Sequence, residues 1–417
     1  MRTIWHLRVL FALCLCVGGP SPAGASGTSA PMPLLAPGKP VDWWFMFKLN
    51  AKHFPRCGGG EERICPFGGM KPGDKPNPKY GNNYSLQFVY ASSDDHDLQK
   101  GTGCAGEGVH DPLGATFDEV YHGHFHYVIW NDQFEGDPKI TGSGTWGHSK
   151  GLLAWNDAGD GMVLQVTTPS WPGAASEARP RKHDGNTLGC IKDNDVEVSQ
   201  HFFAVALPHA DVVKVLQALQ NASVATKPSI AQAVDNGGPD DIKELVEELG
   251  VKSKSTSVLL QRLSNGMILI SKPSKLHVPP WQLVSAELGG VDLRAATWWM
   301  KPAIPSTTSA TKLKCWDASL PTPGGVEIAT SGSWDGTSFS LEGGAHPDAN
   351  HAKIGVSTSG SKRYAIFGDM NQQGTATGSG KCESSQNGRG GLFFAVEDKK
   401  LAKGVSDLIA GDSAPAH

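Results

Sequence analysis

The sequence predicts an α/β or α+β fold made of two similar halves, each a mixed sheet flanked by helices. The main observation is a repeated order of features: His-x-Lys, a short apolar strand, a Gly/Ser turn, a second strand, a Cys, a Phe-Phe-Ala-Val strand and an amphipathic helix. This order begins at His148 and begins again at His351. Other runs rich in β-branched and aromatic residues, such as 42–49 and 363–368, indicate further strands. We expect the halves to pack together as an intrachain pseudo-dimer.

The chain divides into four segments by composition and by the repeat. We assign residues 1–25 to a signal peptide, 26–225 to the first half, 226–261 to a connecting helical segment and 262–417 to the second half. Helical spacing of apolar residues marks the closing helix of each half. The residues are Val212, Val215, Leu216 and Leu219 in the first half and Leu401, Val405, Leu408 and Ile409 in the second.

The first 25 residues carry the features of a secretory signal peptide. Arg2 and Arg8 precede an apolar stretch over 9–17, which a Gly/Pro run and the tripeptide 23–25 (Ala-Gly-Ala) follow. The apolar stretch is too short to span a membrane. The sequence therefore predicts an exported protein, whether secreted, periplasmic or lysosomal, with no stable membrane association.

Six of the eight cysteines remain after the predicted cleavage, which removes Cys14 and Cys16. An even number in an exported chain without a C-x₂-C pair favours disulfides over a metal cluster. If the two halves are equivalent, the pairing Cys104–Cys190 mirrors Cys315–Cys382, and Cys57 is left with Cys65. Six cysteines allow 15 pairings, so this connectivity is a hypothesis.

Composition excludes a uniformly basic nucleic-acid binder, because the formal net charge is −4 and the pI is about 6.4. Any anionic ligand must be bound by local charges. Protonation of all 15 His would move the formal charge to at most −4 + 15 = +11. We therefore expect affinity for a polyanion to rise as the pH falls from about 7 to 5.

The two His-x-Lys motifs place chemically complementary groups side by side. Residues i and i+2 of a strand project from the same face, so His148 lies beside Lys150 and His351 beside Lys353. Imidazole can act as nucleophile or general acid, and a lysine ammonium suits the non-bridging oxygens of a phosphate. A single pair is typical of a solvated strand face, but two pairs in the same context indicate one phosphodiester site that needs no metal.

Polar residues follow the second strand of each repeated hairpin, close to the His-x-Lys end. They are Asp369 and Asn371 in the second half, which we align with Thr168 and Ser170 in the first. Such side chains can bond a phosphate or orient an imidazole, and they can equally only shape a turn. We take Asp369, Asn371 and Ser170 as further candidate site residues.

A competing metal site is suggested by the run at 121–130. If this run is one strand, His122, His124 and His126 share a face with a spacing that could hold zinc. Only Asp118 and Glu119 could add acidic ligands nearby, so we favour a polar strand face or one that lies close to a nucleic-acid ligand.

The motifs together resemble those of the phospholipase D superfamily, and more closely those of the deoxyribonuclease II family. The segments that carry the resemblance are VDWWFMFKL, YVIWNDQ, GHSKG, GDMN and QNGRGGLFFAV, in this order along the chain. The resemblance implies two phospholipase D-like halves and a metal-independent acid endonuclease that forms a phosphohistidine and leaves 3′-phosphate and 5′-hydroxyl ends. The longer superfamily motif has an Asp five residues after each Lys, where this chain has Trp155 and Thr358. That departure argues against a phospholipase.

We therefore expect a monomeric hydrolase of double-stranded DNA with no cofactor, although a higher oligomer is compatible with the sequence. The alternatives are another phospholipase D-type phosphodiesterase and a DNA- or surface-binding relative without turnover. The sequence leaves open which His attacks phosphorus.

Overall fold

The computed structural model describes residues 29–57, 84–106, 109–134, 140, 142, 144, 146–169, 171, 196–227 and 233–416. Within these residues the protein has five α-helices, two large sheets and one small hairpin, and its class is α+β. The predicted signal peptide, Ser170, Cys65 and Cys190 lie outside the described residues.

The first sheet contains eight strands. They are β1 (Trp43–Lys48), β2 (Phe88–Ser92), β3 (Gln99–Lys100), β4 (His126–Asn131), β5 (Lys150–Trp155), β6 (Gly161–Val166), β7 (Gln200–Leu207) and β8 (Val234–Asp235). Their order across the sheet is β3-β2-β1-β7-β6-β5-β4-β8, and every neighbouring pair is antiparallel. This antiparallel pairing identifies the class as α+β, because an α/β fold would need parallel strands joined by crossover helices.

The second sheet contains seven strands, and a separate hairpin lies beside it. The sheet strands are β9 (Leu259–Arg262), β10 (Ile268–Lys272), β11 (Leu293–Ala296), β12 (Val326–Ile328), β15 (Ile354–Ser357), β16 (Tyr364–Gly368) and β17 (Gly391–Glu397). The hairpin strands are β13 (Ser331–Trp334) and β14 (Thr337–Ser340). The sheet order is β12-β11-β15-β16-β17-β10-β9, with one parallel pair, β11 with β12.

Five helices in the described ranges pack beside the sheets. They are α1 (Pro112–His122), α2 (His209–Ala222), α3 (Asp240–Glu247), α4 (Pro280–Glu287) and α5 (Lys399–Leu408). The apolar positions predicted for α2 and α5 are all buried, so the helical periodicity was read correctly. In the described part of the chain, no helix has the length and apolar composition needed to cross a membrane.

Aromatic side chains join the two sheets face to face. Phe367 of β16 stacks on Phe45 of β1 with ring centroids 4.4 Å apart, and on Phe203 of β7 at 4.6 Å. All three rings are fully buried, and β17 adds Phe394 at 5.5 Å from Phe203. Each ring removes a large apolar area from water, so this contact fixes one sheet firmly against the other.

The segment predicted as a helical connection also contributes strands to both sheets. It contains α3, but β8 pairs with β4 at the edge of the first sheet and β9 pairs with β10 at the edge of the second. Both strands are short and lie at sheet edges, where few apolar residues are needed to hold them. Alternating hydrophobicity is therefore weak in this segment.

The disulfides agree with the prediction in one case and correct it in another. Cys315 is bonded to Cys382 as expected, whereas Cys57 is bonded to Cys104, with Cα atoms 4.9 Å apart. The predicted pairings Cys57–Cys65 and Cys104–Cys190 are therefore wrong. The cause is a shared neighbour: the nitrogen of Arg56 donates to Tyr84 and that of Ala105 to Leu86, so both cysteines are drawn to the same segment.

Candidate active site

Both His-x-Lys motifs lie at strand starts, close to the junction of the two sheets. Lys150 is the first residue of β5, and Lys353 immediately precedes β15. His148 and His351 are two residues earlier, and all four side chains are buried. Burial of this kind excludes the solvated strand face as an explanation of either motif.

His148 is held by main-chain carbonyls of the second-sheet side. Its backbone nitrogen donates to Gly390 at 2.7 Å, and its ring Nδ1 lies 2.7 Å from the carbonyl oxygen of Asp369. A carbonyl oxygen can only accept, so Nδ1 carries the proton and the lone pair of the neutral ring is on Nε2. The bond thus fixes both the orientation and the tautomer of the imidazole.

His351 is held in a reciprocal way. Its backbone nitrogen donates to Ser199, immediately before β7 of the first sheet, at 2.8 Å. Its Nε2 lies 3.0 Å from the carbonyl oxygen of Gly344, while its buried Nδ1 has no partner among the described residues. The indole of Trp298 stacks on the ring with centroids 4.4 Å apart. The Lys353 backbone nitrogen donates to His201 of β7 at 3.1 Å, so the first sheet supports this motif as well.

A cleft of about 590 Å³ opens beside His148. Residues from both parts of the chain line it, among them His148, Lys150, Trp298, Asn371 and Arg389. His351 lies behind Trp298, whose indole forms part of the cleft wall. The cleft therefore meets the first motif directly and reaches the second through the tryptophan.

A buried carboxylate organises the cations of the cleft. Asp132 forms ion pairs with Lys150 and, at 2.6 Å, with Arg389. Burial alone would raise the pKa of Asp132, but Lys150 and Arg389 outweigh it and hold that pKa well below its usual range. Two cations against one carboxylate leave this group with a net positive charge, which favours an anionic ligand.

The histidines of the site are kept neutral by their surroundings. Burial lowers the pKa of His148 well below 6.5, and the charge of Lys150 lowers it further. Burial likewise lowers the pKa of His351 and of His201, with Lys353 acting in the same direction on both. A neutral His148 can thus persist at acidic pH, where an exposed imidazole would be protonated.

Asp369 lies behind His148 and does not line the cleft. Its carboxylate accepts from the side chain of Gln165 at 3.1 Å and from the nitrogen of Leu392 at 2.9 Å, and it also contacts the Ser149 hydroxyl. Burial outweighs these bonds and raises the pKa of Asp369 to about 7. The side chain therefore anchors the backbone whose carbonyl holds His148.

We expect Asp369→Asn to change how stability depends on pH. The pKa of Asp369 is about 7 in the folded protein, whereas its ordinary value is 3.8. Between these two values the folded state holds a proton that the unfolded state has lost, so the wild-type protein loses stability as the pH rises from about 4 to 7. Relative to wild type, the free energy of unfolding of the Asn variant should be higher at pH 8 than at pH 5 by roughly 3 kcal/mol. Denaturant unfolding of both proteins at both pH values measures this difference. The contributions of other titrating groups are common to the two proteins and cancel when their free energies of unfolding are subtracted. A difference independent of pH would contradict the assignment.

Of the remaining polar residues predicted after the two hairpins, the structure places Asn371 at the site. Asn371 lines the cleft, donates to the side chain of Gln373 at 3.1 Å, and has a buried Oδ1 without a partner in the described structure. Ser170 lies outside the described residues.

The alignment of the two exits was shifted by one residue. Val166 pairs with Phe202, and Gly368 pairs with Phe393, so the next residues, Thr167 and Asp369, correspond. The Thr167 hydroxyl accepts from His201 at 2.9 Å, as Asp369 does from Leu392. Thr168 is therefore not the counterpart of Asp369, and Asn371 corresponds to Pro169 rather than to Ser170.

The strand predicted over 121–130 is only partly present, which removes the basis of the zinc alternative. His122 ends α1, His124 lies in the following loop, and His126 begins β4, so the three do not share one strand face. His126 instead contacts Asp157 at 2.9 Å and Asp235 at 3.2 Å. Across the described ranges, no three His, Cys, Asp or Glu side chains are grouped so that they could hold a metal ion.

Sequence reasoning missed several residues of the site. Asp132 and Arg389 lie inside segments that carried the family resemblance, YVIWNDQ and QNGRGGLFFAV, so a signal was present. Trp298 and His201 carry no local signal, because their positions depend on how the sheets meet.

Comparisons with known proteins agree with this geometry. A family model described as Deoxyribonuclease II matches residues 72–411, a range that includes both His-x-Lys motifs, Asp132, Trp298 and Arg389. A search of curated proteins found no match. Because the family model covers most of the chain, this protein belongs to the deoxyribonuclease II family and is a deoxyribonuclease.

Proposed function

We propose that this deoxyribonuclease is an exported, acid-active endonuclease that cleaves double-stranded DNA through a phosphohistidine and leaves 3′-phosphate and 5′-hydroxyl ends. One observation carries the proposal: the backbone of His148 bonds Gly390, and the backbone of His351 bonds Ser199. Each half thus supplies the carbonyl that holds the histidine of the other half, which supports two phospholipase D-like halves that pack as an intrachain pseudo-dimer and share one site. In this proposal a single chain forms the complete site.

His148 is the proposed nucleophile. Its Nδ1–H is fixed on the Asp369 carbonyl, which leaves the Nε2 lone pair, and the residue lines the cleft. Nε2 attacks phosphorus and the bond from phosphorus to the 5′ oxygen breaks, which gives a phosphohistidine attached to the 3′ side of the cut. Water then attacks phosphorus, the P–N bond breaks, and the lone pair returns to His148.

His351 is the proposed general acid. Its Nε2–H donates to Gly344, so Nδ1 is the nitrogen that takes up the second proton. The imidazolium gives that proton to the departing 5′ oxygen, and the neutral ring then removes a proton from the attacking water. Trp298 stacks on one face of the ring, and Nδ1 is buried at the ring edge, so in this proposal the proton passes between His351 and the cleft beside the tryptophan.

Positive charge around the phosphate stabilises the transition state. Lys150 and Arg389 line the cleft, and Lys353 adjoins His351; in this proposal their charges act on the non-bridging oxygens, with Asn371 as a neutral donor. These groups fill the role that bound cations fill in many other nucleases.

Activity should therefore survive metal removal. After dialysis against EDTA, plasmid nicking at acidic pH should proceed at its original rate, and the new ends should accept a label from polynucleotide kinase at the 5′ position without prior phosphatase treatment. Hydrolysis of a choline lipid, measured in parallel, should be absent. Loss of nicking in EDTA with recovery in zinc would refute the proposal, as would 5′-phosphate ends.

A further inference from the structure

Two lysines are buried at the ends of corresponding strands, β1 and β10. Lys48 pairs across the sheet with Gln200 at the start of β7, and Lys272 pairs with Gly391 at the start of β17. Both side chains have no exposed surface. Burying an ammonium is unfavourable unless its donors are satisfied, so the groups around each lysine are informative.

Lys272 bonds the loop that holds His148. Its Nζ donates to the carbonyls of Asn387 and Arg389, each at 2.8 Å. The next carbonyl along the chain, that of Gly390, accepts the backbone N–H of His148 at 2.7 Å. A side chain is excluded at Gly390, because a Cβ there would lie 2.0 Å from the carbonyl oxygen of Ala222.

Lys48 repeats this arrangement for His351. Its Nζ donates to Val198 at 2.5 Å and to Ser85 at 3.1 Å. The carbonyl after Val198, that of Ser199, accepts the backbone N–H of His351 at 2.8 Å. In both cases the ammonium binds the carbonyl immediately before the one that holds a histidine.

We infer that Lys48 and Lys272 are positioning residues, each of which fixes the reactive histidine on the opposite side of the sheet junction: Lys48 for His351 and Lys272 for His148. Charge-assisted bonds from one ammonium to two carbonyls hold the peptide planes next to each histidine-binding carbonyl. A displacement of about 1 Å in a reacting group can lower a rate by roughly 10²-fold. This inference rests on the proposed roles of the two histidines.

The test uses Lys48→Met and Lys272→Met in the full chain, with Arg294→Met as matched control. Arg294 is also a buried cation that binds main-chain carbonyls, at Ile409 and Gly411, but it does not line the cleft. Each lysine variant should lower kcat on duplex DNA by about 10- to 100-fold with KM changed by less than about threefold. Arg294→Met should lower the melting temperature and leave kcat unchanged.

A DNA substrate with sulfur in place of the bridging 5′ oxygen separates the two lysines. A thiolate leaves without a general acid, so in single-turnover cleavage, which reports the first step alone, this substrate should restore most of the rate of His351→Ala and of Lys48→Met. His148→Ala and Lys272→Met should stay slow. If Lys48→Met does not fold, it is replaced by Lys48→Gln, which keeps two N–H donors. Lys272→Gln likewise replaces Lys272→Met if that variant does not fold.

The outcomes distinguish an error in the role of His351 from an error in the roles of the two lysines. If His351→Ala is not restored by the sulfur substrate, the proposed general acid is wrong. If His351→Ala is restored but a folded Lys48 variant keeps wild-type kcat, or loses rate equally on both substrates, the positioning role of Lys48 is refuted. Full activity in a folded Lys272 variant refutes the role of Lys272.

Discussion

His148→Ala should lower kcat on duplex DNA by about 10⁴-fold or more, because the described residues that line the cleft include no second imidazole to take its place. DNA affinity should change by less than about threefold, since binding depends mainly on phosphate contacts with cations. Plasmid nicking and a filter-binding titration at the same acidic pH measure the two quantities.

The matched control is His209→Ala, which removes an imidazole that contacts Asp241 on the surface at 3.0 Å. It should retain wild-type activity. A quench experiment with DNA labelled at phosphorus should trap an acid-labile phosphohistidine in wild type and none in His148→Ala. A labelled intermediate on the His148 variant, or near-normal nicking by it, would assign the nucleophile elsewhere.

His351→Ala should lower kcat on natural DNA by roughly 10²- to 10⁴-fold and should also change the shape of the pH profile. The general acid acts only when protonated, and burial followed by the charge of Lys353 lowers the pKa of His351 well below 6.5. Wild-type activity should therefore fall as the pH rises from 5 to 8. The residual activity of His351→Ala should lose this decline.

The pKa values of His148 and His351 are both well below 6.5, so in this proposal the two rings share one proton and are held in opposite states, with His148 neutral and His351 protonated. Rate measurements from pH 4 to pH 8 on both proteins test this account. An unchanged decline in the variant would show that another group supplies the proton.

The features that local patterns encode were predictable, and the features that depend on how distant segments meet were not. The period of Val212, Val215, Leu216 and Leu219 identifies α2, because a buried helix face must be apolar at that spacing. The repeated motifs likewise pointed to His148 and His351. The bond from Cys57 to Cys104 depends on a third segment, 84–86, which no spacing rule includes.

Two differences between the predicted and the observed local structure have a clear physical source. The exits of the two hairpins were aligned by composition, whereas their correspondence is set by pairing with β7 and β17, which selects Thr167. Similarly, alternating His residues at 122–126 suggested one strand, but the Asp111 side chain caps α1 by accepting from Leu113 and Gly114, and the helix runs on to His122. Tertiary pairing and helix capping outweighed the local pattern in these places.

The contact between His148 and Asp369 joins residues 221 positions apart, so the tautomer of His148 is set by a long-range loop closure. A ribosome that has released the first His-x-Lys motif has not yet made the carbonyl that orients it. Under the proposed roles of the two histidines, catalytic competence is consequently a late event in folding, because an incomplete or unfolded chain carries His148 without the carbonyl that orients it. Synthesis of the first motif and the start of activity are thereby separated in time until the two sheets have met.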